Sequence, residues 1–550
     1  MPVELGHCLT QERIRAMHDA GLWGERLLTD YLDDAVARHP DKVAMLDRNS
    51  TTGRSTVLSY RMLERLVRRL ALGLAALGVE RGDVVACQLP NWLQLPALHL
   101  ACLRIGAIIN PLMPIFRERE LEYMLGFAES RLAVVPARFR GFDHAGMLAG
   151  LRAKLPKLAH VLVIGGEGET SFETALLEKR WEDEADAAAL FAARRPGADE
   201  VVELQYTSGT TGAPKGVLHT SNTLLSNVLD YIEHVGLGAD DVVLMASPMA
   251  HQTGFLYGLM TPVVLGAKAV YQDIWQPEEA ARLINDEGVS FTMGATPFLA
   301  DLAATEAWAR YDVSTLKRFV SAGAPIPRVL VESAHRRLGA HIISGWGMTE
   351  NGFVTGTQAG DAPEKVFGTD GRAMRGMEVR VVDDRGRPLP PGEEGNLEAR
   401  GAYNFVGYLR QPELYNTDAE GWFGTGDHAW MDGDGYIRIT GRAKDIVIRG
   451  GENIPIVEVE ELLYRHPAVE DAAIVAMPDA RLGERACAFV TLKPGRDLDF
   501  DAMIEFLQAQ KMAKQYLPER LQVIDAMPRT PSGKIQKFKL RELAQGFGEG

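Results

Sequence analysis

The sequence predicts an α/β protein with a large N-terminal domain and a small α+β C-terminal domain. Over roughly the first 375 residues, short apolar runs alternate with helix-period patterns, as in folds that stack helices on sheets. From about residue 377, apolar and polar residues alternate between turn sequences, which predicts a β-rich lobe. A second change of pattern follows Gly441, and the roughly 105 residues that remain suffice for a separate domain.

The predicted elements of the N-terminal domain follow from hydrophobic periodicity. Residues 60–77 place leucine and valine on one helical stripe and arginine off it, which predicts a surface helix packed on the core. The same pattern is compatible with a helix lying on a membrane, but the acidic character of the whole chain favours the first interpretation. Short apolar runs predict strands at 84–88, 133–135, 160–164, 201–205, 242–246, 291–292 and 319–321, and residues 187–195 predict a surface helix.

Strands of the β-rich lobe are predicted at 378–383, 395–400 and 436–440. The sequence MDGDGY before the last of them resembles the start of a calcium loop. It lacks the remaining ligands and the closing glutamate, so it is interpreted as a turn. Beyond a boundary placed at 441–444, the C-terminal domain is predicted to contain helices at 457–464 and 500–510 and strands at 471–476, 486–492 and 521–525.

Composition and charge exclude several classes of function. The 550 residues include 59 basic and 74 acidic side chains, a net charge of −15, whereas a nucleic-acid-binding protein carries a basic face. Four cysteines provide neither a disulfide framework nor the paired spacing of a zinc site. The most apolar long stretch, 93–114, is interrupted by prolines, His99 and Arg104, which argues against a membrane span. Because the N-terminus has no signal-peptide pattern, the expected location is the cytoplasm.

The segment YTSGTTGAPKG at 206–216 is the strongest chemical motif. It follows a predicted strand and precedes a helix whose apolar stripe runs from Leu224 to Ile232. Glycines let backbone N–H groups approach an anion, hydroxyls add hydrogen-bond donors, and Lys215 supplies positive charge. The spacing is not that of a Walker A motif. The segment therefore predicts a phosphate-binding loop of another type rather than an ordinary surface loop.

Two further segments indicate that the bound phosphate belongs to an adenylate. SGWGMTE at 344–350 supplies an aromatic plane in Trp346 for a base, a hydroxyl in Thr349 for a phosphate and a carboxylate in Glu350 for magnesium. GWFGTGD at 421–427 ends in Asp427, which can accept hydrogen bonds from both ribose hydroxyls. Taken singly, the first segment equally fits a buried tryptophan beside a surface glutamate, and the second equally fits a glycine turn.

These three segments, followed by GRAKDIVIRGGEN at 441–453 and PRTPSGK at 528–534, resemble the motifs of the adenylate-forming superfamily. Its members include acyl-CoA synthetases, firefly luciferase and the adenylation domains of peptide synthetases. The resemblance covers essentially the whole chain. It implies an adenylation domain with an acyl pocket over 1–441, a hinge at 442–444 and a mobile C-terminal domain over 445–550. It also implies a two-step reaction: ATP and a carboxylic acid form acyl-AMP and pyrophosphate, and a thiol then forms the thioester.

The resemblance assigns the nucleotide site residue by residue. Asp427 and Arg442 match the residues that bind ribose, while Thr349 and Glu350 match those that bind phosphate and Mg²⁺. Ser344 stands where many members have a longer side chain that reaches the adenine amino group. The ATP phosphate loop is matched by Thr207, Ser208, Gly209, Thr210, Thr211, Gly212 and Lys215. Gly323, Ala324 and Pro325 match the segment beside adenine, with Trp346 on its other side in place of the usual Tyr or Phe, followed by Gly347 and Met348.

The C-terminal motifs are assigned in the same way. Lys534 matches the lysine that bridges carboxylate and phosphate oxygens during adenylation, and Lys444 stands at the hinge position. Gly451, with Gly450 beside it, matches the glycine that lines the pantetheine tunnel during thioester formation. Because acetylation of Lys534 would remove its charge, a lysine acetyltransferase and a deacetylase are candidate partners.

This assignment agrees with the charges that the reaction brings together. A carboxylate must attack an α-phosphate that is itself anionic, so positioned cations and Mg²⁺ lower the barrier. No protein nucleophile is required, and the four cysteines are expected to be inert. The expected co-substrates are ATP and coenzyme A.

The acid is predicted from two positions. PMAHQTG at 248–254 resembles the motif at the mouth of the acyl pocket, with His251 near the carboxylate. Gly347 occupies a position that resembles that of a pocket-closing tryptophan in acetyl-CoA synthetases, so an acid longer than acetate is expected. Segments such as PMAHQTGF and PRTPSGKIQKFKLREL are similar to those of cyclohexanecarboxylate-CoA ligases and short- to medium-chain fatty acyl-CoA synthetases. The predicted substrate is a medium-chain or alicyclic acid.

Free CoA is the expected acceptor, because no carrier-protein module follows the adenylating region within these residues. A ligase that loads an acyl carrier protein, or a luciferase-like monooxygenase that acts on the adenylate, is an alternative. A non-catalytic nucleotide-binding protein is a third possibility. Against it stands the intact set of Lys215, Glu350, Asp427, Arg442 and Lys534.

Overall fold

The structure, a computed structural model, describes residues 4–183, 186–207, 214–323, 326–442, 447–449, 452–479, 482–510, 512, 514–530 and 533–547. The first half of the N-terminal domain contains α1 (Gln11–Asp19), α2 (Leu28–Arg38), β1 (Val43–Asn49), β2 (Arg54–Ser59), α3 (Tyr60–Ala76), β3 (Val84–Cys87), α4 (Gln94–Ile105), β4 (Ile108–Pro111), α5 (Glu118–Phe127), β5 (Leu132–Pro136), β6 (Arg138–Phe139), β7 (Phe142–Asp143), α6 (His144–Leu151), β8 (His160–Ile164), α7 (Ala187–Arg194), β9 (Val201–Tyr206), β10 (Gly216–Thr220) and α8 (Ser221–Val235). The second half contains β11 (Val242–Met245), α9 (Gln252–Gly254), α10 (Thr261–Leu265), β12 (Lys268–Gln272), α11 (Pro277–Glu287), β13 (Phe291–Gly294), α12 (Thr296–Ala304), β14 (Arg318–Ala322), α13 (Arg328–Leu338), β15 (His341–Met348), β16 (Gly352–Gly356), α14 (Pro363–Gly368) and β17 (Arg372–Ala373). The β-rich lobe contains β18 (Met377–Val382), β19 (Glu394–Gly401), β20 (Phe423–Met431) and β21 (Ile437–Arg442). The C-terminal domain contains β22 (Val447–Arg449), β23 (Glu452–Ile454), α15 (Ile456–Tyr464), β24 (Val469–Asp479), β25 (Gly483–Leu492), α16 (Phe500–Ala509), β26 (Arg520–Val523) and α17 (Lys537–Gln545).

Two large sheets organise the N-terminal domain. One has nine strands in the order β17-β16-β15-β14-β13-β11-β12-β1-β2, and the six strands from β15 to β1 run parallel. The other has the order β10-β9-β4-β3-β5-β8 and is parallel except for the β9–β10 hairpin. The largest apolar cluster joins side chains of α3, α4 and α8 with side chains of both sheets, so the sheets share one core.

The predicted α/β architecture is confirmed. Each predicted strand is present, with bounds that differ by at most three residues. The helix predicted at 60–77 is α3, which begins where the Ser59 hydroxyl accepts a hydrogen bond from the Met62 N–H and buries its leucine stripe. The apolar stretch 93–114 forms α4 and β4 inside the core. Within the described residues, no helix combines the length and the apolar composition needed to cross a membrane.

One element beside the phosphate-binding motif differs from the prediction. The helix predicted after the loop is present as α8, but β10, a strand that was not predicted, lies between the loop and α8 and pairs antiparallel with β9. The Thr207 N–H donates to the Lys215 carbonyl (2.9 Å), so the two arms of the motif meet as a hairpin. β10 was not predicted because it has five residues, too few to separate strand periodicity from the start of α8.

The β-rich lobe and the C-terminal domain each have their own sheet. The lobe is a four-stranded antiparallel sheet, β18-β19-β20-β21. In the C-terminal domain, α15 and α16 pack on one face of a five-stranded sheet and α17 packs on the other. The chain leaves the lobe sheet at Arg442 and enters the C-terminal sheet at Val447. Residues 443–446, which include the predicted hinge Lys444, lie outside the described residues.

Candidate active site

The candidate site lies at the carboxyl ends of the parallel strands, where open α/β sheets bind their ligands. Ser247 follows β11, Ala295 follows β13, Gly323 follows β14 and Thr349 follows β15. These residues line two adjoining spaces, which we call the active-site cavity. Of the residues predicted from the sequence, those that line the cavity are His251, Gly323, Gly347, Met348, Thr349 and Lys534.

Lys534 reaches this cavity from the C-terminal domain. It ends a tight turn in which the Thr530 N–H donates to the Lys534 carbonyl (2.7 Å) and the Lys534 N–H donates to the Thr530 hydroxyl (3.0 Å). Gly533 has a φ of +86°, and a Cβ there would lie 3.3 Å from Pro297 at the start of α12. The turn therefore rests against the N-terminal domain and places Lys534 beside His251 and Gly323.

His251 is a neutral hydrogen-bond donor in this setting. Burial, and secondarily the Lys534 ammonium, lower the pKa of His251 to about 3. Its Nδ1 accepts a hydrogen bond from the Thr253 N–H (3.3 Å), so the proton of the neutral ring sits on Nε2. An Nε2–H group and an ammonium thus converge on one cavity, an arrangement that suits a bound carboxylate.

The predicted adenine and ribose residues are joined directly. The Trp346 indole N–H donates to the Asp427 carboxylate (2.8 Å), and both side chains are buried. Asp427 in turn lies opposite Arg442 in the β20–β21 register. Tyrosine and phenylalanine, the usual residues at position 346 in the family, have no indole N–H and could not make this bond. Sequence reasoning placed both residues at the nucleotide but missed their contact, because they are 81 positions apart.

Ser344 has a buried hydroxyl that faces no protein partner among the described residues. Its own N–H is satisfied by the Thr357 hydroxyl (3.1 Å). A buried hydroxyl without a partner is unfavourable by about 1–3 kcal/mol unless water or a ligand satisfies it.

Glu350 and Lys215 meet through a residue that sequence reasoning missed. The Tyr408 hydroxyl donates to Glu350 Oε1 (2.8 Å), and the Lys215 ammonium lies 4.1 Å from the centre of the Tyr408 ring. Glu350 is 5% exposed. One carboxylate beside the hydroxyl-bearing Thr349 fits Mg²⁺, which takes one or two protein carboxylates and completes its shell with phosphate oxygens and water. No motif pointed to Tyr408, which is far from both partners in sequence.

A second missed residue, His219, holds the backbone at Thr349. His219 Nε2 lies 2.8 Å from the Thr349 carbonyl and Nδ1 lies 3.0 Å from the Thr223 hydroxyl. Burial lowers the pKa of His219 to about 4, so the ring is neutral at pH 7 and donates from Nε2. β10, the strand after the phosphate-binding motif, is thereby linked to the segment after β15.

Gly347 lines the cavity, but a side chain there would not enter it. A Cβ at Gly347 would lie 1.9 Å from the Gly352 carbonyl oxygen, across the β15–β16 pair. The glycine is therefore required by the close approach of two strands. The expectation that a bulky residue at 347 would shorten the acyl pocket is corrected on this point.

We predict that Gly347→Ala lowers the melting temperature and weakens nucleotide binding together, because the β15–β16 pair must separate to admit the methyl group. A loss of about 1–3 kcal/mol is typical of such overpacking. Gly150→Ala is the matched control, since a Cβ at that helical glycine meets nothing within 4 Å. A Gly347→Ala protein as stable as the parent would contradict the geometry.

Several predicted residues lie outside the described residues. They are Ser208, Gly209, Thr210, Thr211, Gly212, Ala324, Pro325, Lys444, Gly450 and Gly451. Arg442 is described through its backbone alone.

Comparison with known proteins agrees with this geometry. The sequence pattern of the family described as AMP-binding enzyme matches residues 32–409, and that of the AMP-binding enzyme C-terminal domain matches residues 458–534. The chain belongs to the AMP-binding enzyme family. It is 37% identical to the medium-chain fatty-acid–CoA ligase of Escherichia coli (strain K12) over 97% of this chain and 93% of that protein. It is 33% identical to a salicylyl-CoA synthase / salicylate adenylyltransferase of a Streptomyces species, over 96% of this chain and 95% of that one.

The structural comparison supports the same assignment. The crystal structure of the anthranilate CoA ligase AuaEII in complex with anthranoyl-AMP superposes with a TM-score of 0.85 at 26% identity, covering 95% of this chain and 98% of that one. The enzyme is an AMP-forming acyl-CoA synthetase, with ATP and CoA as co-substrates of a carboxylic acid. The non-catalytic interpretation of the sequence is thereby set aside.

Proposed function

We propose that the enzyme activates medium-chain or alicyclic monocarboxylic acids. The observation that carries this proposal is the distribution of polarity in the active-site cavity. Among the described residues that line it, Lys534 carries the only full charge, and the neutral His251 lies beside it. Tyr257, Met293 and Phe353 supply an apolar wall. A single carboxylate is matched at Lys534 and His251, and a second one would meet no cation among the lining residues that the structure describes.

The apolar wall is rigid on one side and adaptable on the other. Tyr257 packs against the buried Tyr231, with ring centres 4.0 Å apart, and its hydroxyl accepts a hydrogen bond from the Phe353 N–H (2.7 Å). Met293 lies next to Tyr231, and the Tyr231 hydroxyl is 3.2 Å from the Met293 sulfur. Methionine is the flexible member of this wall, so position 293 is the one where a change in volume should alter the accepted acids.

The proposed adenylation follows from these positions. Lys534 and His251 bind the acid carboxylate, and the Lys534 ammonium offsets the repulsion between that carboxylate and the α-phosphate. Trp346 and Asp427 hold the adenosine, while Thr349 contacts phosphate. Mg²⁺, when bound at Glu350, supplies positive charge to the phosphate oxygens. For the second step we propose that the C-terminal domain turns about Lys444 and brings Gly451 to the thiol.

The test of this function is a panel of acids assayed with ATP, Mg²⁺ and CoA, with AMP and the thioester measured separately. We expect hexanoate, octanoate and cyclohexanecarboxylate to give higher kcat/KM than acetate, and succinate to be inactive. A preference for acetate or a dicarboxylate would overturn the proposal. A preference for salicylate or anthranilate would assign an aryl-acid ligase instead. Adenylate that accumulates with CoA but is consumed with an acyl carrier protein would identify the alternative acceptor.

We predict that Met293→Ala moves the preference towards longer acids, because it opens space beside Tyr231. Each added methylene that becomes buried is worth about 0.8 kcal/mol, which is about fourfold in kcat/KM. Met245→Ala is the matched control: Met245 is equally buried, but it packs on Gly258 rather than lining the cavity. Both variants should lose stability, and only Met293→Ala should change the ratio of decanoate to hexanoate turnover. An unchanged ratio would place Met293 away from the acyl chain.

A further inference from the structure

Tyr408 is fixed in place by the strand that follows the phosphate-binding motif. The segment around it runs antiparallel to β10, with hydrogen bonds from the Leu218 N–H to the Gly407 carbonyl (3.0 Å) and from the Leu409 N–H to the Gly216 carbonyl (2.7 Å). Its ring packs against Phe405, with centres 4.7 Å apart, and the side chain is 2% exposed. The position of the Tyr408 side chain is therefore fixed by its own surroundings. Glu350 and Lys215, which contact it, are positioned relative to it.

Two groups of opposite charge contact different parts of this one side chain. The hydroxyl donates to Glu350 Oε1, and the ring face receives the Lys215 ammonium. A hydroxyl donor stabilises one orientation of a buried carboxylate, and a ring face attracts a cation without neutralising it. Neither contact neutralises the charge of Glu350 or Lys215, on which binding of a nucleotide–metal complex would depend. A direct ion pair between the two side chains would neutralise both charges.

The backbone supplies a third link to the same place. The Phe405 N–H donates to the Glu350 carbonyl (2.7 Å), so the segment that carries Tyr408 also fixes the main chain at Glu350. Main chain and carboxylate of Glu350 are thus both held by residues 405–408. This double attachment is more than packing of an aromatic side chain requires.

We infer that Tyr408 is a positioning residue that orients the Glu350 carboxylate for the metal of the bound nucleotide. The inference rests on the proposed role of Glu350 at Mg²⁺. It predicts that the Tyr408 hydroxyl affects how strongly the metal strengthens nucleotide binding, and that it does not affect which acid is used. As a positioning residue, Tyr408 acts through Glu350 and does not itself contact the reacting atoms.

The test compares Tyr408→Phe with Glu350→Gln by measurements that do not depend on turnover. ATP binding to the full-length enzyme is titrated calorimetrically without metal and at increasing Mg²⁺, and Mn²⁺ binding in the presence of ATP is followed by electron paramagnetic resonance. Tyr408→Phe should raise the Mg²⁺ concentration for half-maximal strengthening of ATP binding by about tenfold, as expected for one hydrogen bond to a charged group. ATP binding without metal should stay unchanged.

Tyr415→Phe is the matched control. Tyr415 packs on the same Phe405, with ring centres 5.1 Å apart, and its hydroxyl accepts a hydrogen bond from Arg13 and donates to the Phe405 carbonyl rather than to Glu350. It should alter stability at most, and leave the metal dependence as in the parent. The double variant Tyr408→Phe with Glu350→Gln should bind Mg²⁺–ATP no more weakly than Glu350→Gln alone.

The outcomes separate this inference from the function on which it rests. If Glu350→Gln leaves the metal dependence unchanged, the assignment of Mg²⁺ to Glu350 fails. If Glu350→Gln changes it and Tyr408→Phe does not, only the role of Tyr408 fails. Additive effects in the double variant, or equal weakening of ATP binding with and without metal, would show a merely structural role and overturn the inference.

Discussion

Lys534→Ala should lower the rate of acyl-AMP formation by about 10²–10³-fold, roughly 3–4 kcal/mol of transition-state stabilisation. Lys534 lines the cavity beside His251 and Gly323, where the proposed mechanism brings the acid carboxylate and the α-phosphate together. Without that cation the two anions face each other with less compensation. Thioester formation from supplied acyl-AMP should stay near the parent rate, because the proposed second step uses another face of the C-terminal domain. Pyrophosphate release and thioester formation are measured as separate half-reactions.

The controls for Lys534 distinguish chemistry from folding. Lys493→Ala removes an exposed lysine of the same domain and should leave both half-reactions intact. Gly451→Leu, at a position outside the described residues, should have the reverse effect by blocking thiol entry. Acetylation of Lys534 should mimic the alanine variant, because it removes the same charge. A Lys534→Ala enzyme that forms acyl-AMP at the parent rate, or one in which both half-reactions and stability fall together, would end this proposal.

Most of the fold could be predicted because its elements carry local signals. The leucine stripe of α3 and the apolar run of β8 fix those elements without reference to anything distant. β10 was not predicted because its strand conformation depends on pairing with β9, and its five residues alone do not indicate that pairing. Local periodicity therefore predicts the longer elements, whereas a short strand forms because of the strand with which it pairs.

The candidate site was predictable in its residues and less so in its contacts. Lys534 and Gly323 were both assigned from motifs, and the structure places them side by side. The bonds from Tyr408 to Glu350 and from His219 to Thr349 depend on how distant strands pack, so no spacing in the sequence reports them. At Gly347 the residue type was informative but the direction of its missing Cβ was not. That direction turned a proposed pocket residue into a requirement of the β15–β16 pair.

A buried acid next to the site provides the second prediction of large effect. Glu203 on β9 is fully buried; its Oε2 accepts a hydrogen bond from the Gln252 amide (3.3 Å), and Oε1 has no partner among the described residues. Burial raises the pKa of Glu203 to about 8, which the bond from Gln252 opposes. Because Gln252 lines the cavity next to His251, this acid supports the wall of the site.

The sign of the pH dependence follows from that shift. Between the unfolded pKa of about 4.5 and the folded pKa of about 8, the folded state holds a proton that the unfolded state has lost. The contribution of Glu203 to stability is therefore full below about pH 4.5 and is lost as the pH rises towards 8, by up to about 1.4 kcal/mol per pH unit. Glu203→Gln, which resembles the neutral acid and does not titrate, removes this slope.

We predict that the melting temperature of Glu203→Gln, relative to the parent, rises steadily as the pH is increased from 5 to 8. Melting curves of both proteins at closely spaced pH values measure this difference, and comparison at equal pH cancels the titration of every other group. Glu393→Gln is the matched control, because it makes the same substitution at an exposed glutamate; its difference from the parent should be flat. A flat difference for Glu203→Gln as well would mean that the carboxylate is ionised in the folded protein, with its charge compensated by water or by a residue not identified as its partner. The assignment of Glu203 as a neutral acid would then be wrong. The assignments of Lys534 and His251 would stand, since they depend on their own contacts in the cavity.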